Sequence, residues 1–462
     1  MDHPNRINYS DCAFWSFALT VALLPVGLGG DRPIPVGLAQ AGLSLSLLFM
    51  ILSPDIWQNT HFFTRLRWAL GLVAVVLTWT LFQAQPLVPA SWMHPLWQEA
   101  ASVLNKPVYG SISIVPEDSF KGILRLITYI AGGLLAYALT QDPRRARQLV
   151  WTLWVSGTVI CIYGLMIQIT GLNMILWFRK WSYVGDLTAT FVNRNHFAIY
   201  AGMILVCGVG LLLQSWREAV ESCRPHQRIG VIRSWFIKQG LLHSFLLLLV
   251  LISIILSHSR AGLVLSLIGL SCFLFFYQIY LRAWRRAWII GIIMLVVFMV
   301  AMAIAVNVSD RFAILFVDYS SADRSKVYDL SWRILLDNPW LGYGINGFEP
   351  EYRLYQQNML EEFNHVHSDV LESLIDLGLP FGLLLWLAIG VMCSGLWHGV
   401  MHRRQNGLYP TLALAASVMA LGHALVDFDL QIPGVTLTWT ALLGTGLAQS
   451  WSRSKKRTTA LA

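Results

Sequence analysis

The stretch LLHSFLLLLVLISIILSHSRAGLVLSLIGLSCFLFFYQIY, residues 241–280, decides the fold. Two apolar runs, Leu241–Leu256 and Ala261–Tyr280, flank the polar tetrad Ser257, His258, Ser259 and Arg260. A bilayer-crossing helix needs roughly 20 mostly apolar residues, so the pattern reads as two spans joined by a tight polar turn. Working outward, comparable runs precede it at Cys12–Leu28, Pro35–Leu52, Leu66–Phe82, Gly122–Leu139, Leu149–Ile169 and Phe197–Leu213. Others follow at Trp288–Val306, Phe381–Leu396, Leu412–Val426 and Val435–Leu447. The reading is an all-α, polytopic integral membrane protein of about twelve spans, with both ends on one side. Pro25, Gly422 and Gly444 interrupt the outermost runs, which leaves a range of about ten to twelve. Composition agrees: of 462 residues, 56% are hydrophobic and 13% charged.

Basic residues set the orientation. With the N-terminus inside, every second loop is basic: Arg65 and Arg67; Arg144, Arg145 and Arg147; Arg217, Arg224, Arg228, Arg233 and Lys238; Arg282, Arg285 and Arg286; Arg403 and Arg404. Arg453, Lys455, Lys456 and Arg457 close the series in the tail. A miscount by one span would scatter these clusters over both faces. The net charge of +8 is then cytoplasmic anchoring rather than nucleic-acid binding, because the clusters are short and sit beside spans. The six cysteines show no CxxC or Cys/His metal spacing. The first run lacks a small-residue cleavage site and reads as a retained span.

Two outer loops are long, roughly 83–120 and 307–364, and polar sequence concentrates in the second. The expected organisation is 1–306 as transmembrane helices one to nine, 307–364 as an outer loop carrying short helices, and 365–462 as helices ten to twelve with a basic tail. Within the loop, Ser331–Leu336 with its flanks and Glu351–Glu362 have helical spacing, separated by the turn LGYGING, residues 341–347.

Four residues fall on the outer boundary: Arg194 in FVNRNHFA, Arg260 in SHSRAG, Arg324 in SADRSKVYD and His367 in NHVHSDVLESL. Arg194 and Arg260 open outward-facing helix starts, and His367 precedes a D-x-x-E capping pattern expected to open helix ten. Helix N-termini with guanidinium groups form a receptor for phosphate oxygens, a diphosphate above all. The competing reading of a lone arginine is snorkelling to the interface, yet outer-side arginines run against the inside bias. Asn193 and Asn195 flank Arg194 as in a polar pocket, and His365 is a helper or substitute for His367. An H-x-H pair suggests a metal, but no Asp, Glu or Cys cluster accompanies it in sequence, so no metal is expected. Trp92, Trp97, Trp177, Trp181 and Trp340 read as interface anchors before sugar platforms.

The order FVNRNHFA, SRAG, a long outer loop with DNPWLGYGINGF, then HVHSDVLESLIDLGLPFG resembles the O-antigen ligase and polymerase family of bacterial envelope glycosyltransferases over the second half of the chain. The family's usual His-Asn pair is His367-Ser368 here, and HALVDFDLQIPG with Asp427 and Asp429 also resembles family members. The resemblance implies a GT-C-like architecture in the bacterial inner membrane. The implied reaction is metal-independent, inverting transfer of a glycan from undecaprenyl diphosphate to an acceptor hydroxyl at the periplasmic face, with no cofactor. The acceptor would be lipid-, protein- or glycan-linked. Arg194, Arg260 and Arg324 would contact the diphosphate, with Asn193, Asn195 and His365 beside it. His367 would be the base; an unperturbed imidazole titrates near ~6.5 and keeps a useful neutral fraction. A flippase or transporter for the same lipid-linked glycan is the alternative, but the helix centres lack the midplane charges such a protein uses.

Overall fold

The computed structural model describes residues 8–54, 61–221, 224–294, 319–356 and 364–451. Among them nine helices are long and apolar enough to cross a membrane. The first four such helices are α1 (Tyr9–Leu23), α2 (Pro33–Ile51), α3 (His61–Gln83) and, after the short α4 (Pro95–Leu104), α5 (Pro116–Leu139). Next come α6 (Pro143–Ile169) and α7 (Arg194–Glu221). Then α8 (Arg228–Trp235) runs through a π turn into α9 (Leu241–Leu256), and α10 (Arg260–Tyr280) follows. A helix over 284–294 begins the ninth expected run, whose remainder lies outside the described residues. The chain resumes with α11 (Tyr319–Asp337), α12 (Phe348–Tyr355) and α13 (Asp369–Leu377), and closes with α14 (Leu379–His402), α15 (Leu408–His423) and α16 (Pro433–Ser450). Among the described residues, strand is confined to a two-residue pairing, β1 (Met174–Ile175) with β2 (Phe178–Arg179). The chain is a multi-pass, all-α membrane protein.

Helix starts follow local chemistry. Proline occupies the first turn of α2, α4, α5, α6, α14 and α16, where its missing N–H costs nothing. Asp142 caps α6, Ser259 caps α10 and Ser368 caps α13 through side-chain oxygens. The expected start of helix ten is corrected by the structure. The D-x-x-E pattern opens the separate nine-residue α13, and Gly378, at φ +76°, breaks the chain before the long α14 begins. Likewise α5 starts at Pro116 rather than Gly122, because Pro116 and the acidic Glu117 and Asp118 suit a first turn.

Two helices form the centre. In α7, 83% of the apolar window is buried by protein, against 22% for α14, and every residue of α16 is buried. Lipid is as apolar as leucine, so close approach rather than water exclusion holds such helices together. At Gly444 an added Cβ would lie 2.2 Å from the Gly133 carbonyl oxygen, which is why α5 and α16 can pack so tightly.

The basic clusters share one end of the bundle. Arg145 pairs with Asp11 at 2.8 Å, Arg147 with Glu218 at 3.1 Å, and Arg65 stacks over Trp451. Arg282 reaches the Met401 carbonyl there too. Arg453, Lys455, Lys456 and Arg457 lie outside the described residues, as does Cys223.

At the opposite end, α11, α12 and α13 enclose a second small core built from Val327, Ile334, Phe348, Tyr352, Val366 and Ile375. This core crosses the expected division between 364 and 365. Buried His94, 3.1 Å from Glu351, ties the segment between α3 and α5 to it. Gln83 also donates to the Leu341 and Asp376 carbonyls. Of the expected helix Glu351–Glu362, the described part belongs to α12, and 357–363 lie outside.

Candidate active site

The site grows from the starts of α7 and α10. Asn193 caps α7: its Oδ1 accepts from the Asn195 N–H at 2.8 Å and its Nδ2 lies 3.5 Å from His196. Asn195 joins two further segments. Its Nδ2 donates to Asp427 Oδ2 at 2.7 Å, and its Oδ1 accepts from the Ser259 hydroxyl at 2.7 Å. Both asparagines, expected on sequence to contact substrate, therefore spend these side-chain atoms holding protein to protein.

Asp427 is the hinge of the arrangement. It is 1% exposed, and its Oδ1 lies 3.1 Å from His367 Nδ1 while also accepting from the Phe428 N–H. Burial pushes this carboxyl upward, but the His367 hydrogen bond and the charges of His196, His367 and His423 outweigh it and hold Asp427 well below the usual range. An ionised carboxylate only accepts, so the His367 nitrogen that faces it, Nδ1, carries a proton. The His367 backbone is left-handed at φ +58°, and its carbonyl accepts from the Tyr328 hydroxyl of α11. The α11–α13 core thus grips the histidine through α11. Ser368, standing where the family's asparagine is usual, caps α13 and is turned away from this pairing.

A second histidine pair sits beside the first. His365 Nδ1 lies 3.0 Å from Glu372, which also accepts from Gln431 and the Val366 N–H. Burial alone would lower His365, but the charge and hydrogen bond of Glu372 raise it above its ordinary value. The Phe428 ring organises the group: His365 stacks on it at 4.3 Å, and His367 and His196 meet its edge at 5.1 and 4.7 Å. Fully buried Asp429 is shared by His196 and His423.

Arg194 faces the other side of Asn195. Its Nη1 donates to Asp186 at 2.8 Å, its guanidinium lies 5.3 Å from the Tyr183 ring, and its Nε is buried without a hydrogen-bond partner among the described residues. The other Asp186 oxygen takes His258 Nδ1 at 2.7 Å, so one carboxylate links Arg194 to the turn before Arg260. Arg260 is exposed as the first residue of α10. Arg324 lies on α11 rather than in an irregular loop, and its side chain is outside the described residues.

The structure therefore joins Asn193, Asn195, His365, His367 and the start of α10 into one polar cluster, with Arg194 on its flank. Asp186, His258 and Phe428 were not singled out as site residues by sequence. Asp427 and Asp429 had a signal, two carboxylates in an apolar stretch, where a buried charge demands a partner. Among the described residues no group of three or more His, Cys, Asp or Glu is arranged to hold a metal ion. Chemically, the cluster offers an oriented imidazole base next to arginine-bearing helix starts.

No curated protein matches the chain. Residues 245–387 match the family model described as O-antigen ligase. That stretch contains Arg260 and His367, while Arg194 and Asp427, joined to them through Asn195, fall outside it. Over that stretch, less than half of the chain, the protein is similar to the O-antigen ligase family, a similarity that supports glycan transfer of the O-antigen ligase type in general.

Proposed function

We propose that the protein transfers a glycan from undecaprenyl diphosphate to an acceptor hydroxyl at the periplasmic face of the bacterial inner membrane, with both termini cytoplasmic and inversion at the anomeric carbon. The observation that carries this reading is the hydrogen-bonded path His367–Asp427–Asn195–Ser259, which ties a base of fixed tautomer to the starts of α7 and α10. In the division of labour, 1–306 supplies the phosphate-binding starts, 307–364 the cover, and 365–462 the base and its carboxylate.

The chemistry follows from the groups in place. His367 Nε2 takes the acceptor's proton, the acceptor oxygen bonds to the anomeric carbon, and the carbon–oxygen bond to the diphosphate breaks with its electron pair leaving on phosphate. Asp427 stabilises the imidazolium that forms. Arg194 and Arg260 neutralise charge developing on the leaving diphosphate, a task a divalent metal performs elsewhere. Arg324, carried on α11, adds a third phosphate contact when the cover closes. Asn193 and Asn195 position these groups without touching substrate.

The test is transfer by purified protein from undecaprenyl-diphosphate glycan to candidate acceptors, with His367→Gln and Arg194→Ala compared. Both variants should lose activity while remaining folded; parental rates in both would remove this reading.

A further inference from the structure

One carboxylate stands where the proposed reaction needs a phosphate. Asp186 lies half-buried in the irregular segment between β2 and α7. Its Oδ2 accepts from Arg194 Nη1 at 2.8 Å, and its Oδ1 lies 2.7 Å from His258 Nδ1. His258 is two residues before Arg260, and Ser259 between them bonds to Asn195 at 2.7 Å. The start of α7 and the turn before α10 thus meet on the two oxygens of one carboxylate. A carboxylate bridging nitrogen donors in this way copies what two oxygens of a phosphate would do.

The bridge leaves the arginine incompletely satisfied. Arg194 Nε is buried without a hydrogen-bond partner among the described residues, although a buried donor left unpaired is costly. A pairing that served only to anchor the guanidinium would use two of its parallel N–H groups, the arrangement that suits a carboxylate. Instead Asp186 takes a bond from Nη1 and gives its other oxygen to His258. The segment around it is held by its backbone. Lys180 Nζ donates to the Asp186 carbonyl, Gln168 Nε2 to the Gly185 carbonyl at 2.8 Å, and the Leu187 N–H to the Leu256 carbonyl at 3.1 Å. The side chain can therefore turn away while the chain that carries it stays in place.

Charge decides what can replace it. A phosphate oxygen on Arg194 would stand beside Asp186, and like charges so close repel strongly in a partly dry site. A phosphodiester headgroup carries a single negative charge, no more than the carboxylate it would displace. A diphosphate carries more than one, on a wider set of oxygens. Bilayer surfaces are crowded with anionic headgroups that collect at basic residues, so an unguarded cation pair there would fill with ordinary phospholipid. A seated carboxylate sets a threshold against that weaker ligand, and a repulsive element of this kind is a common source of specificity.

We propose that Asp186 is an internal competitor for the donor's diphosphate: it occupies Arg194 and His258 in the free protein, excludes singly charged phospholipid headgroups, and gives way to the diphosphate, which then takes both. His258 is thereby a further donor contact. This rests on the glycan-transfer reading above and deepens it.

The test measures binding of undecaprenyl diphosphate to the full-length protein in a neutral maltoside detergent, alone and against phosphatidylglycerol. In the parent, about a 100-fold excess of phosphatidylglycerol should leave diphosphate binding unchanged. Asp186→Asn, with Asp186→Ser as a second charge-free variant, should bind the diphosphate about 5- to 10-fold more tightly and become open to competition by phosphatidylglycerol. Asp186→Glu keeps the charge and should keep the exclusion. His258→Ala placed on Asp186→Asn should weaken diphosphate binding again by about 5-fold, the loss of one hydrogen bond. Diphosphate binding weakened by both charge-free variants, or phosphatidylglycerol competing in the parent as well as it does in Asp186→Asn, would overturn the assignment and leave Asp186 an anchor for Arg194. A parent that binds no diphosphate at all removes the glycan-transfer reading too, so the two failures are told apart.

Discussion

Replacing Asp427 by asparagine preserves its shape, removes its charge and should lock His367 in the wrong tautomer. The carboxylate accepts from Asn195 at 2.7 Å on one oxygen, and from the Phe428 N–H at 3.0 Å on the other, which lies 3.1 Å from His367. An amide has one acceptor oxygen for these donors. With that oxygen kept by Asn195, the new NH2 faces His367 Nδ1, which must become an acceptor. The ring proton then moves to Nε2, the nitrogen needed as base. The expected loss in kcat is about 10³-fold, roughly 4 kcal/mol of barrier, within the range general-base catalysis contributes. The donor KM should change little, because Arg194 and Arg260 are untouched. Steady-state transfer with purified, thermally intact variants measures both. Asp427→Asn combined with His367→Gln should be no slower than His367→Gln alone, since the two act as a unit. A kcat within threefold of the parent in folded Asp427→Asn would refute the reasoning.

Three further outcomes rest on the geometry. Arg194→Lys keeps a charge but loses the planar fork held between Asp186 and Tyr183, so kcat/KM for the donor should fall about 10- to 100-fold, read from donor-saturation curves. For His365, the folded value is raised, so its contribution to stability is full below the unfolded value near ~6.5 and is lost as pH rises through the raised one. The parent's thermal advantage over His365→Gln should therefore be larger at pH 6 than at pH 9; a gap that widens with pH would contradict the pairing with Glu372. Gly342→Ala should destabilise by about 2–4 kcal/mol in detergent unfolding. The position has φ +67°, and a Cβ there would lie 2.4 Å from the Gly378 nitrogen and 2.5 Å from the Asp376 oxygen.

The membrane-spanning body was legible because apolar runs have a fixed minimum length and basic loops alternate, two signals that check one another. The helix starts at Arg194 and Arg260 were legible for the same reason, since each polar residue stood at the edge of a run. What stayed hidden depended on contacts between distant segments. Nothing local to HALVDFDLQIPG says that Asp427 reaches both Asn195 and His367, more than fifty residues away in each case. Asp186 lies in a short irregular loop without periodicity. The division of α13 from α14 was obscured because Gly378 interrupts a pattern that is helical on both sides. Ser368 illustrates the limit of motif comparison: it departs from the family's pair, yet the orienting partner of His367 comes from another segment altogether.

The most direct test is a single assay of purified protein in nanodiscs, with undecaprenyl-diphosphate glycan and a lipid-linked acceptor, in the presence of a chelator. The parent is predicted to release stoichiometric undecaprenyl diphosphate and form an inverted glycosidic product, with His367→Gln slower by about 10²- to 10⁴-fold. Parental rates from His367→Gln, loss of transfer on chelation, or movement of intact donor across the bilayer without bond cleavage would contradict this mechanism.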